Sequence, residues 1–193
     1  MACLKHPFVR GLADGSLPLA SFRTYVAQDA YFLEAFARAY AFALARSPDR
    51  HGIDAFHALI AGVLDELMLH SGYAARWGAD LAQTQPAPAT LAYTDFLLAT
   101  AGLGSVGDVC AAMPPCMRLY AYLGQELVAN ASAPPQDNPY REWIETYGST
   151  SFESLAATLE GLLDRYAEDK PAVRHAYRRA MQLELAFFQA ALG

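Results

Sequence analysis

In CAAMPPCMRLYAYLGQEL (residues 110–127) a cysteine directly follows two prolines inside an otherwise helical, apolar pattern. Proline in a helix interior removes a backbone hydrogen bond, crowds the preceding turn and costs about 3 kcal/mol. Pro115 suits the first turn of a restarted or kinked segment, where a missing N–H is no loss. Cys116 then lies near that segment's N-terminus, where free N–H groups and the helix dipole favour a thiolate, and so a nucleophile. Tyr120, one turn on, shares its face, and a kink opens room for a ligand. The plainer reading of a lone cysteine is a small buried hydrophobe.

Two carboxylates stand on apolar helix faces. Asp29 has Tyr25 and Val26 on one side and Phe32 and Leu33 on the other. Glu184 lies between Ala180 and Met181 on one side and Phe187 and Phe188 on the other. A carboxylate on a core stripe must pair, raise its pKa or meet a ligand. Each by itself is more simply accounted for by a bond to a neighbouring Tyr, Ser or Arg. Glu66 and His70 are spaced i, i+4 in DELMLH, which could ligate a metal on one helix face. With no second such spacing among the histidines, Glu66 reads better as an internal ion-pair or hydrogen-bond partner.

The elements that must position these groups are helices. Apolar residues recur at helical spacing almost throughout, and strand-like alternation is absent. Ser16-Leu17-Pro18 opens a long helix reaching about Ser47, and a second runs from about Ala55 to Trp77. Thr90 starts a third, through about Ala101. Ser105 caps a fourth, which holds the Pro-Pro-Cys motif and ends before ASAPPQDNP. A short helix is expected near residues 139–146, another from about Ser151 to Tyr166, and a last from Asp169-Lys170-Pro171 to about Leu192. The 193 residues, 54% hydrophobic and 18% charged, fit one all-α domain spanning 1–193. A net charge of -6 and the lack of a long basic cluster argue against nucleic acid. No stretch of about 18 apolar residues is free of charge, so no membrane span is expected. The N-terminus has no apolar signal core, and three cysteines without a CxxC pair suit a reduced, cytoplasmic compartment.

Several segments together resemble the TenA/thiaminase II family. They are HPFVRGLADGSLPLASFRTYVAQDAYFLEAFARAYAFA (6–43), DELMLH (65–70), PATLAYTDFLL (88–98), AAMPPCMRLYAYLGQEL (111–127), NPYREWIETYGSTSF (138–152) and AMQLELAFF (180–188). They follow one another in order across nearly the whole chain. The resemblance implies a haem-oxygenase-like helical bundle without haem, and no cofactor. Cys116 places the chain in the family's cysteine subclass. Only five residues precede His6, fewer than in most members, which leaves the pocket residues untouched. His6 itself is expected to fix the chain entry.

The implied chemistry cleaves the C–N bond at the methylene of a 4-amino-2-methylpyrimidine and yields hydroxymethylpyrimidine. The substrate is 4-amino-5-aminomethyl-2-methylpyrimidine or thiamine. By resemblance, Cys116 is the nucleophile that adds to the ring. Glu184 is the acid/base that protonates a ring nitrogen and helps activate water. Asp29 holds the 4-amino group and the neighbouring ring nitrogen. Tyr93, Tyr120 and Tyr147 are hydrogen-bonding tyrosines around the substrate, and Phe187 is a stacking wall. Phe32 stands where some members carry tyrosine, so one hydroxyl is lost. Physical chemistry asks for the same division: thiol addition needs a populated thiolate, and an aminopyrimidine resists attack until it is protonated. The expected partner is a small pyrimidine, and the expected assembly a homo-oligomer, a tetramer by resemblance. Two other classes stay open: a non-catalytic pyrimidine-binding or regulatory protein, and a metal-dependent oxidase built on Glu66 and His70.

Overall fold

The computed structural model describes residues 2–130 and 137–192. Among the described residues a short 3-10 turn at Cys3–Lys5 precedes nine α-helices. These are α1 (Pro7–Asp14), α2 (Leu19–Ala45), α3 (Arg50–Trp77), α4 (Pro88–Leu103) and α5 (Val106–Ala112), followed by α6 (Pro114–Asn130), α7 (Arg141–Tyr147), α8 (Thr150–Tyr166) and α9 (Pro171–Ala190). No strand occurs among the described residues, so the all-α expectation holds. The helices α2, α3 and α4 pack side by side, and α5, α6, α8 and α9 close the other side. One continuous cluster of buried apolar side chains, from Cys3 to Ala191, fills the space between them.

The ends of the helices follow local chemistry. Ser105 and Asp108 form a reciprocal capping box at the start of α5. Helix α3 begins at Arg50, earlier than expected, because the Asp49 carboxylate accepts from the Gly52 N–H at 2.9 Å and caps the first turn. Helix α1 was not anticipated. His6 caps it by accepting from the Phe8 N–H and reaches Gln189 on α9 at 3.2 Å, so it does fix the chain entry. The Pro-rich linker read at 131–136 lies outside the described residues.

The Pro-Pro step divides the expected fourth helix. Helix α5 ends at Ala112, Met113 is the joint, and α6 begins at Pro114. The two prolines occupy the first turn of α6, where no N–H is required. One turn past Tyr120 on the same helix, Gly124 lets α7 come close: a Cβ there would lie 2.3 Å from the Tyr147 carbonyl carbon. That approach sets Tyr147 beside Tyr120, with ring centroids 4.9 Å apart.

Candidate active site

Four residues of α2, namely Asp29, Phe32, Phe36 and Tyr40, fall on one inward stripe and are all buried. Asp29 anchors a polar chain. Its Oδ2 accepts from the Tyr25 hydroxyl at 2.9 Å and from His70 Nε2 at 2.7 Å. His70 Nδ1 stands 2.9 Å from the Glu66 backbone carbonyl, which can only accept. Both ring nitrogens therefore donate, as an imidazolium. Burial alone would pull the His70 pKa down. The Asp29 bond and charge, with Glu66 behind, outweigh it and hold His70 above its ordinary value. This uses up the imidazole, so Glu66 and His70 are not arranged as a metal chelate. Among the described residues no group of three or more His, Cys, Asp or Glu could hold a metal ion.

The Tyr25 hydroxyl, which donates to Asp29, accepts from Trp143 Nε1 at 3.2 Å and stands 3.5 Å from the Tyr120 hydroxyl. The Glu66 carboxylate, on the other branch, accepts a short bond from the Tyr147 hydroxyl. Burial, then the charge of Asp29, push Glu66 above the usual carboxylate range. Glu66 also lines a hollow of ≈ 270 Å³ with Asp65, Thr146, Ser149 and Ser151, where this network comes nearest to solvent.

Opposite Asp29, Glu184 of α9 is 1% exposed. Its Oε1 accepts from the Tyr93 hydroxyl at 2.6 Å, and its carboxyl group also interacts with the Cys116 thiol. Burial pushes the Glu184 carboxyl up to about 8, against the lowering effect of those two bonds. It is then mostly protonated at neutral pH. Cys116 sits in the first turn of α6, as the prolines suggested. The thiolate expected there is not favoured. Burial raises the thiol well above its ordinary range, and the charges of Glu184, Glu66 and Asp29 add to the rise. One helix terminus, worth about 0.3–1 kcal/mol, does not offset desolvation among carboxylates.

Aromatic rings complete the surround. Phe32 packs on Tyr93 at 4.7 Å and on Phe187 at 5.8 Å, and Tyr25 meets Phe187 edge-on at 6.1 Å. The fold thus joins Asp29, Phe32, Tyr93, Cys116, Tyr120, Tyr147, Glu184 and Phe187, drawn from five helices, into one set of contacts. A second hollow, of ≈ 350 Å³, holds none of them. Cys3, Pro115, Arg118, Leu119, Met181 and Leu185 are part of its apolar wall, on the outer faces of α6 and α9.

An acid, a thiol and a tyrosine share one end of this buried region, with a charged carboxylate–imidazolium pair at the other. The sequence matches the TENA/THI-4/PQQC family model over residues 1–193. The chain belongs to that family. The aminopyrimidine aminohydrolase of Halalkalibacterium halodurans is 38% identical over 168 residues, 84% of this chain and 74% of that protein. The mitochondrial bifunctional TH2 protein of Arabidopsis thaliana is 35% identical over 95% of this chain, which spans only 34% of the plant protein. Among solved structures, a TenA family transcription regulator of Silicibacter sp. TM1040 superposes with a TM-score of 0.91 at 30% identity, covering 98% of this chain and 89% of that one. A TenA homologue of P. horikoshii gives 0.88 at 27% identity, covering 98% and 90%. The helical-bundle expectation is borne out as a TenA fold.

Sequence reasoning missed Tyr25, Trp143 and the second role of His70. Tyr25 was noted only as an apolar neighbour of Asp29, and Trp143 carried no signal of its own. The one available hint was that a fully polar His70 recurs in register with the buried face of α3, as Tyr73 and Ala74 do.

Proposed function

We propose that the protein is a thiamine-salvage hydrolase. It replaces the amino group of 4-amino-5-aminomethyl-2-methylpyrimidine by hydroxyl, giving hydroxymethylpyrimidine and ammonia, with thiamine as a further substrate. The observation that carries this reading is the buried cluster of Cys116, Glu184 and Tyr93, in which a largely buried thiol meets a carboxyl of raised pKa. The name of the Halalkalibacterium relative agrees with it.

Each group has a step to perform. The Asp29 carboxylate, fixed by His70 and Tyr25, accepts from the 4-amino group and orients the ring. Glu184, protonated at rest, gives its proton to a ring nitrogen, which makes the ring electrophilic. The sulfur of Cys116 forms a bond to ring carbon while its own proton passes to the Glu184 carboxylate just vacated. Electrons from the dearomatised ring adduct then expel the methylene substituent, and the amine leaves with the proton that Glu184 took from the thiol. Water adds to the exocyclic methylene and gives a proton back to the Glu184 carboxylate; the C–S bond then breaks, and the ring-nitrogen proton passes to the sulfur, restoring the aromatic ring and the thiol. The sum is one water consumed and one amine released. Tyr93 holds the Glu184 carboxyl in place, and Phe32 and Phe187 wall the ring.

Chromatography of products from both substrates, with wild type and Cys116→Ala, tests the proposal. Hydroxymethylpyrimidine from wild type and none from the variant is the expected result. Pyrimidine binding without turnover by wild type would replace the hydrolase with a binding or regulatory role. We also propose a homo-oligomer, a tetramer, resting on exposed apolar side chains such as Phe42, Leu64 and Met68. Light scattering at the 21.0 kDa of one chain would contradict it.

A further inference from the structure

Two buried hydroxyls, those of Tyr40 and Tyr73, have no hydrogen-bond partner among the described residues. Leaving a buried polar group unpaired is unfavourable, so each such group calls for a partner that it lacks in the resting structure. The two differ in what surrounds them. Tyr73 interacts with the charges of Glu142, Arg76 and Glu66, towards the outside of α3. Tyr40 interacts first with Cys116, then with Cys110 and Glu66, and it also acts on Tyr93. Its ring is fixed by Phe36, edge-on at 4.8 Å, and by Phe56 at 6.0 Å. It is 0% exposed and ends the inward stripe that begins at Asp29. The hydroxyl therefore lies on the Cys116 side of the site, near Cys110 of α5 and Cys116 of α6.

We propose that the Tyr40 hydroxyl is a hydrogen-bond donor kept for the Cys116 sulfur as that sulfur takes on negative charge. No hydrogen bond joins the two at rest, and a neutral thiol would be a weak acceptor in any case. A thiolate is a strong one, and a buried donor already beside it stabilises the developing charge once hydroxyl and sulfur close on each other. Such a donor is needed because the other charged groups around the sulfur oppose ionisation. Asp29 of α2, Glu66 of α3 and Glu184 of α9 all disfavour it. The hydroxyls of Tyr93 on α4 and Tyr120 on α6 also interact with the sulfur; Tyr147 on α7 packs on Tyr120, and the Cys110 thiol on α5 interacts with Tyr40. Tyr93 and Tyr147 are already engaged with Glu184 and Glu66. On α8, Glu153 and Glu160 are held by Arg118 on the outer face of α6. Tyr120 stands 3.5 Å from the Tyr25 hydroxyl, and Tyr40 alone among these tyrosines has no partner among the described residues.

The inference rests on Cys116 being the nucleophile proposed above, yet its test needs no substrate. Iodoacetamide alkylates a thiolate by forming a C–S bond and releasing iodide. Its rate at Cys116, followed by peptide mass spectrometry to separate it from Cys3 and Cys110, reads the ionisation of that sulfur. In Tyr40→Phe the rate profile should shift up by about one pH unit, so that alkylation below the inflection slows about tenfold. The melting temperature should stay level or rise, since an unpaired buried hydroxyl is removed. Tyr73→Phe should leave the profile in place. An unchanged profile in Tyr40→Phe overturns the inference. So does a fall in melting temperature without a shift. That result would assign the hydroxyl, through water, to the Cys110 or Ala111 carbonyl, which Pro114 and Pro115 have no N–H to satisfy.

Discussion

Helix α6 carries two acid networks on opposite faces, and they behave in opposite ways. On the outer face Arg118 grips Glu160 through both carboxylate oxygens, at 2.8 and 2.6 Å, and Glu153 at 2.7 Å, with Gln125 also on Glu153. There the Arg118 hydrogen bond holds the Glu153 carboxyl below its ordinary range. On the inner face, two residues earlier, Cys116 meets Glu184, and burial lifts both. The residue types are ordinary in each case. The difference lies in solvent and counter-charge: an acid at the surface with a guanidinium stays ionised, whereas an acid sealed among rings keeps its proton. The outer network ties helices together. The inner one stores a proton where a reaction can use it.

The largest expected effect is on turnover. Cys116→Ala should reduce hydrolysis to background, measured as product released per enzyme. Glu184→Gln keeps the shape and removes the transferable proton, and should cost about 10²–10⁴-fold in kcat. If Glu184→Gln retained near-normal kcat, the inner network would be structural, like the outer one.

A smaller but still large effect concerns stability. His70→Leu leaves the Asp29 carboxylate buried without its ionic partner and should cost about 3–5 kcal/mol in denaturant unfolding. Adding Asp29→Asn should recover part of that loss. Arg118→Ala, at the outer network, should cost under about 1 kcal/mol and leave kcat alone. An Arg118 cost equal to that of His70 would erase the contrast between the faces.

The smallest effect sharpens the comparison through pH. The Glu184 pKa is raised on folding, so its neutral burial favours the fold fully below the ordinary carboxylate range. That contribution is lost as pH rises towards about 8. Glu184→Gln has no such proton to lose. Its melting temperature relative to wild type should therefore climb between pH 5 and about pH 8, followed by calorimetry. A constant difference would show that Glu184 is already ionised at neutral pH.

Much of this arrangement was legible in the chain. The Ser105 cap, the break at Pro114 and the inward placement of Asp29 and Glu184 follow from rules that act within a few residues. Helix α1 and the early start of α3 were not read, because their caps are His6, an uncommon capping residue, and Asp49 inside a stretch that looked like a plain loop. The resemblance supplied the site residues, and the fold joins them.

What the sequence determined by itself was local: where helices start and stop, which faces are apolar, and which polar groups those faces carry. Only the tertiary structure decided the charge states. His70 becomes an imidazolium because Asp29, 41 residues away in the chain, lies 2.7 Å from it. Cys116 keeps its proton, against the pull of its own helix terminus, because carboxylates from three other helices surround it. Tyr40 is buried with no partner for its hydroxyl among the described residues, and nothing in the α2 sequence records that. Helix periodicity and caps depend on neighbours within a turn or two. Desolvation and Coulomb energies depend on every group within several ångströms, whatever its place in the chain.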